Sequence, residues 1–196
     1  MKKLLLSVAA LALASCSSST SGGKAPDKFR VKFETTKGDV VIDCVRQWSP
    51  LGADRFHELV ASGFYDGARF FRIVPGFIVQ VGIKGDLKID AEWREKNIPD
   101  DPAGMTNAPA TVTFAKSSMP NSRTTQIFIN LGDNARLDSQ GFTPFGRVAE
   151  GMQVVTSFNT EYGEAPNQGR VTAEGNAYLQ REFPRLDYIK KASIVN

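Results

Sequence analysis

The sequence predicts a mainly β protein: a closed eight-stranded antiparallel β-barrel capped by two α-helices. Two observations carry this prediction. Many short segments alternate apolar and polar residues, and each is bounded by Gly, Pro, Asn or Ser. Only two segments have a helical period, and no strand-helix-strand rhythm indicates a parallel sheet. With 41% apolar residues in a chain of 196, one core can be filled.

The first elements are a hairpin and a helix. "FRVKFETT" (29–36) and "DVVIDCV" (39–45) alternate and meet at a glycine, which is typical of an antiparallel hairpin. In the second strand Cys44 shares a face with aliphatic residues, so we expect a buried structural thiol rather than a reactive one. A helix follows, with Ser49 as its cap, Pro50 at its first position and Gly63 at its end. His57 lies on a different face from the apolar residues, which predicts a surface histidine.

The remaining strands are predicted in "ARFFRIV", "GFIVQVG", "ATVTFAK", "TQIFINLG", "FTPFGRVAEG" and "YIKKASIV", with a weaker helix at 151–159. Two polar stretches, 83–104 and 160–187, fit this pattern poorly, although 173–183 can form a short helix. We interpret both as insertions, which either carry specificity or cover the barrel edges.

The N-terminus predicts export. Residues 1–15 have the charged start, apolar run and small residues of a secretory signal peptide. "LASC" (13–16) resembles a lipoprotein lipobox, which makes Cys16 the acylated first residue of the mature chain; the alternative is an ordinary signal peptide with an incidental cysteine. Ser17 after it favours the outer membrane, facing the periplasm. Residues 16–28 would form a lipidated flexible tether of roughly 20 Å reach, and residues 29–196 the folded domain.

Composition excludes several classes of function. Without Lys2 and Lys3, 22 of the 24 basic side chains remain against 21 acidic ones, so no nucleic-acid footprint is present. A single histidine excludes a histidine-rich metal cluster, and we predict neither a metal nor another cofactor. With Cys16 lipidated, Cys44 has no disulfide partner. No self-complementary apolar patch is readable, so we expect a monomer.

The segment "FFRIVPGFIVQVG" (70–82) is apolar except for two side chains, Arg72 and Gln80. Strand alternation places Ile78 and Gln80 on one face and Phe77 and Val79 on the other. An outer face that mixes bulky apolar groups with an amide is typical of a binding groove.

"TQIFIN" (125–130) repeats this arrangement, because alternation separates its two isoleucines from Gln126 and Phe128. On parity alone, Arg72 can instead be a surface residue paired with an acid such as Asp66.

The same stretches resemble the three signatures of cyclophilin-type peptidyl-prolyl isomerases. "FFRIVPGFIVQVG" resembles the first, "FAKSSMPNSRTTQIFIN" (114–130) the second and "LDSQGFTPFGRVAEGMQVV" (137–155) the third, in the family's order and spacing. The resemblance covers roughly residues 29–195. It implies a cyclophilin-like barrel that isomerises X-Pro bonds and needs no cofactor.

The resemblance assigns roles by position. Arg72 matches the catalytic arginine and Gln80 the glutamine beside it. The other matched positions bind substrate. The walls of the proline pocket are matched by Phe77, Ile78, Phe128 and Leu137. The strand that hydrogen-bonds the peptide is matched by Ala115 and Lys116, and a groove amide by Gln126. The positions of a family tryptophan and a family histidine are occupied by Arg136 and Phe142.

Three positions depart from the family pattern. Phe142 replaces a histidine but keeps an aromatic wall, so we expect activity to survive. Arg136 replaces a tryptophan important for cyclosporin binding, which puts drug sensitivity in doubt. Phe71 replaces the histidine before Arg72, a position that we do not expect to be catalytic.

The resulting hypothesis is a lipid-anchored prolyl isomerase that acts on proline-containing exported polypeptides as they fold. The alternative is a binding module that holds or docks such peptides without turnover. A ligand-carrying barrel is disfavoured, because the aliphatic residues of the strands are large enough to fill a small barrel.

Overall fold

The computed structural model describes residues 23–195, which form eight β-strands and five α-helices. The strands are β1 (Lys28–Thr35), β2 (Asp39–Val45), β3 (Arg72–Val74), β4 (Ile78–Val81), β5 (Thr111–Phe114), β6 (Ile127–Asn130), β7 (Pro144–Glu150) and β8 (Ile189–Val195). The helices are α1 (Pro50–Ala61), α2 (Leu87–Arg94), α3 (Met152–Thr156), α4 (Gln168–Glu174) and α5 (Asn176–Glu182), and a 3-10 helix spans Ala135–Gln140. The predicted β class, the hairpin and α1 are confirmed.

The prediction of a closed barrel is wrong. All strand pairs are antiparallel, in the order β3-β4-β6-β5-β7-β2-β1-β8, and in the described chain no ladder joins β3 to β8. Only a bridge between Arg69 and Tyr188 and neighbouring backbone bonds link the two edges. Strand β3 has three residues, and the Ile73 N–H donates to the Gly163 carbonyl at 3.1 Å rather than to a strand. The sheet is therefore an open, curled half-barrel whose short edge is covered by a loop.

The core lies between the concave face of the sheet and α1. Phe56 of α1 is buried and contacts Phe33 and Phe145, with ring centroids 6.0 and 4.7 Å apart. Cys44 is 1% exposed, as predicted, and burial raises the pKa of its thiol well above the usual value. His57 is half-buried rather than fully exposed, with its ring edge-on to Phe29.

The prediction of two helices is also incomplete, because both insertions fold. Helix α2 lies within 83–104 and is capped by Asp86, whose carboxylate accepts the backbone N–H groups of Lys88 and Ile89. Helices α4 and α5 lie within 160–187, and Gly175 separates them. Each of these helices is short and buries only one or two side chains, so no sustained apolar period marked it.

The predicted signal peptide, Cys16 and most of the predicted tether lie outside the described residues. Within 23–195, no helix is both long and apolar enough to cross a bilayer.

Candidate active site

One cavity of about 410 Å³ opens on the outer face of β3, β4 and β6. Ten of the eleven predicted catalytic and substrate-binding residues line it, and Arg136 does not. Those ten are Arg72, Phe77, Ile78, Gln80, Ala115, Lys116, Gln126, Phe128, Leu137 and Phe142. Strand pairing explains part of this convergence, because Arg72 lies opposite Gln80, and Gln80 lies opposite Phe128.

The apolar half of the cavity is a small cluster separate from the main core. Ile78, Phe128 and Leu137 are at most 8% exposed, and Phe142 packs edge-on to Phe128 at 5.9 Å between ring centroids. Phe77 joins the same cluster, so its predicted place on the opposite face from Ile78 is wrong. The reason is local: the preceding Gly76 adopts a φ of 72° in a turn, and β4 begins only after Phe77.

The polar half is a chain of hydrogen-bonded side chains. The Arg72 Nη1 donates to Gln80 Oε1 at 3.1 Å, and Gln80 Nε2 donates to Gln126 Oε1 at 2.7 Å. Gln80 is only 5% exposed, so both ends of its amide are held inside the wall of the cavity. This arrangement fixes a guanidinium beside an apolar pocket.

The partner of Arg72 is not the acid suggested by its neighbourhood in sequence. Glu164, in the second insertion, accepts from Arg72 Nε at 2.6 Å, and its Oε1 lies 2.5 Å from Arg72 Nη2. The Asp66 carboxylate instead accepts the backbone N–H of Ala192. The Arg72 side chain is 28% exposed and that of Glu164 is 61% exposed, so the pair lies at the rim of the cavity.

Comparison with known proteins identifies this arrangement. The family model described as cyclophilin type peptidyl-prolyl cis-trans isomerase/CLD matches residues 30–176, which is more than half of the chain. The chain belongs to the cyclophilin-type isomerase family. Peptidyl-prolyl cis-trans isomerase A of Dickeya dadantii is 38% identical over 130 residues, covering 63% of this chain and 67% of the relative. Peptidyl-prolyl cis-trans isomerase B of Escherichia coli is 28% identical over 175 residues, covering 85% and 99%.

The fold agrees with this family. A cyclophilin-type isomerase from Cryptosporidium parvum, solved in the presence of the dipeptide Ala-Pro, superimposes with a TM-score of 0.65 at 20% identity. The match covers 85% of this chain and 99% of that one.

Arg136 lies at the rim of this cyclophilin's cavity rather than in it. Its guanidinium carbon is 4.7 Å from the centre of the Phe77 ring, and that of Arg72 is 5.8 Å from the same centre. Two cations thus share one aromatic ring, as cation–π contacts allow.

Residues 115–124 form the other side of the cavity and are held by the first insertion. Lys116 Nζ donates to Asp100 at 3.0 Å. Burial raises the pKa of Asp100, but hydrogen bonds from Lys116 and from the Asn121 N–H outweigh it and leave the pKa below its usual value. Arg123, 1% exposed, pairs with Asp101 at 3.0 Å.

Sequence reasoning missed four residues that line the cavity and one that pairs with Arg72. Ser117, Ser122 and Thr124 lie inside the second family signature, so their neighbourhood was visible although they were not singled out. Gln168 and Glu164 come from the insertion at 160–187, where no local pattern indicates contact with the site.

Proposed function

We propose that this cyclophilin accelerates cis–trans rotation of X-Pro bonds in exported polypeptides. The observation that carries the proposal is the Arg72 guanidinium, hydrogen-bonded to the buried amide of Gln80 beside an apolar pocket, at the positions that match the family's site. The curated relatives bear the name of this activity.

The chemistry suits a fixed cation. Rotation about an X-Pro bond breaks amide resonance against a barrier of about 18–20 kcal/mol. In the twisted transition state the prolyl nitrogen becomes pyramidal and basic, so a donor aimed at it binds the transition state more tightly than the ground state. Arg72 can supply that donor because a guanidinium is permanently charged and carries a rigid fork of N–H groups.

The remaining residues hold the substrate. Phe77, Ile78, Phe128, Leu137 and Phe142 can enclose the pyrrolidine ring while the residue before it turns. The backbone at Ala115 and Lys116, with Gln126, can orient the peptide along the groove. For a millionfold acceleration these effects together must lower the barrier by about 8 kcal/mol. We expect Arg136, beside Phe77 at the rim, to contact the chain next to the proline.

We further propose that the domain is tethered to the membrane by a lipid on Cys16 and works at the periplasmic face of the outer membrane as a monomer. The support is the sequence alone: the signal-like start, "LASC" at 13–16 and the serine- and glycine-rich residues that follow. Labelled palmitate should enter the wild-type chain in cells and not Cys16→Ser.

The test of activity is cis–trans exchange of Ala-Pro and Phe-Pro peptides, measured by NMR with the full chain in detergent. Arg72→Ala should lower kcat/KM about 100-fold, because one donor to the transition state is lost. Arg147→Ala is the matched control, since Arg147 is exposed on β7 and does not line the cavity. Binding without acceleration by the wild-type chain would make the protein a proline-binding module instead.

A further inference from the structure

The insertion at 160–187 reaches the proline site with two side chains. Gln168, the first residue of α4, lines the cavity, and Glu164 pairs with Arg72 across 92 positions of sequence. An insertion that only covered a sheet edge would not need to place a carboxylate on the catalytic cation.

The insertion has its own hydrophobic core, which fixes its position. Its buried side chains pack on Phe71 of the main domain and on Ile83, the first residue of the other insertion, which are 1% and 7% exposed. The packed residues of the insertion are Val171, Tyr178, Leu179 and Leu186, with Tyr162 and Phe183 beside them. Phe71 directly precedes Arg72, so the residue that replaces the family's histidine attaches the insertion next to the catalytic side chain.

A backbone bond fixes the carboxylate more closely. The Gly163 carbonyl accepts the N–H of Ile73, so the residues before Glu164 and after Arg72 are joined directly. Two attachments on either side of Arg72, the packing of Phe71 and this bond, therefore hold Glu164 opposite the guanidinium.

The hydrogen-bond inventory of Arg72 shows what the carboxylate does. A guanidinium has five N–H donors. Glu164 accepts the Nε–H, with the same oxygen 2.5 Å from Nη2, and Gln80 accepts one N–H of Nη1. Among the described residues, the other N–H of Nη1 and the two of Nη2 have no hydrogen-bond acceptor, so three donors remain for the cavity. Without Glu164, the neutral hydrogen bond to Gln80 and the contact with the Phe77 ring would be left to hold the side chain against rotation.

The carboxylate also balances local charge. The guanidinium groups of Arg72 and Arg136 both contact the Phe77 ring, and like charges so placed repel one another. Glu164 lies on Arg72 and offsets that repulsion, which keeps the catalytic cation over the pocket.

We propose that Glu164 is a positioning residue, which orients Arg72 so that its uncommitted Nη donors face the proline pocket. This role rests on the proposed isomerase function. The insertion thereby takes part in catalysis, a role that neither the family signatures nor the alternation of the strands indicated.

The test compares Glu164→Ala and Glu164→Gln with the wild-type full chain in the same peptide exchange assay. Glu164→Ala should lose about fivefold in kcat with little change in KM, because a misaimed donor is missed at the transition state. Glu164→Gln, which keeps an acceptor without its charge, should lose less, about twofold. The matched control is Glu161→Gln, which removes an exposed ion pair with Arg185 in the same insertion and should leave kcat unchanged.

Two further readouts separate positioning from a structural effect. At about 1 M salt, where the Debye length is about 3 Å, wild-type kcat should fall toward the Glu164→Ala value, and the variant should be insensitive. The Arg72 Nε–H signal in NMR, recognised by its loss in Arg72→Ala, should exchange faster with water in Glu164→Ala than in the wild type or Glu161→Gln.

An unchanged kcat in both Glu164 variants would overturn the proposal, and so would a rise, which would make the carboxylate a brake. An inactive wild-type chain would instead refute the isomerase function itself, because the positioning role is read only against measurable wild-type activity.

Discussion

Replacing Asp101 by Asn should destabilise the fold strongly, because Asp101 joins the first insertion to α1 and to a buried cation. Its Oδ2 accepts from Ser49 Oγ at 2.5 Å, from the Gly52 N–H at 2.9 Å and from Arg123 Nη1 at 3.0 Å. Its Oδ1 accepts from the Leu51 N–H at 3.0 Å. The carboxylate thus satisfies the N-terminus of the helix and neutralises Arg123 at once.

The magnitude follows from these four bonds. Asn has the same shape as Asp, so the change opens no cavity. It removes the nearer of the two carboxylates that contact Arg123, and breaking a buried pair costs about 3–5 kcal/mol. The lower figure applies here, because Asp100 Oδ1 stays 3.6 Å from Arg123 Nε. The new amide must also turn an N–H₂ group toward at least one existing donor, such as the Leu51 N–H. We therefore expect the free energy of unfolding to fall by about 4 kcal/mol, which lowers the melting temperature by roughly 8–16 °C.

Urea and thermal unfolding of the full chain measure this loss. The matched control is Asp43→Asn, because Asp43 pairs with Arg30 at 2.7 Å while their side chains are 46% and 41% exposed. An exposed pair is worth less than about 1 kcal/mol. A difference between the two variants below about 1 kcal/mol would refute the buried-pair reasoning.

Two further predictions test the glycine turn beneath the site and the surface ion pairs. Gly82→Ala should lower the free energy of unfolding in urea by about 3 kcal/mol, because φ is 118° and a Cβ would lie 2.5 Å from the Thr125 carbonyl. Gly67→Ala is the control, since Gly67 has a positive φ but open space around it, and should lower the free energy of unfolding by only about 1 kcal/mol. Equal losses in the two variants would contradict the steric argument. Hydrogen bonds from arginines, Arg170 first, lower the pKa of Glu174 to about 2. Because the folded pKa lies below the ordinary value, this contribution to stability is present above about pH 4.5 and is lost as the pH falls toward 2. An NMR titration midpoint for Glu174 near 4 would show that the ion pairs do not persist in solution.

Local pattern accounts for much of the fold. Alternation located the strands, and the cap, Pro50 and Gly63 located α1, because these signals depend on residues within a few positions of one another. The residues that line the apolar pocket were also predictable, since most lie in three contiguous segments that resemble family signatures. The misplaced Phe77 marks the limit of alternation, which fails where a turn resets the chain.

Tertiary packing decided the rest. The sheet stays open because the edge of β3 bonds to the loop at Gly163, a partner about 90 positions away. Glu164 reaches Arg72 only because the insertion packs on Phe71 and Ile83. These contacts join segments with no periodic relation, so no local signal encodes them.

The sequence by itself therefore determined the class of the fold, the family and the cation that lines the cavity, all of which depend on short-range order along the chain. Only the tertiary structure decided which acid faces that cation and which acid neutralises Arg123. Both are long-range ion pairs, and their partners are chosen by how two irregular insertions bury a few apolar side chains against the sheet.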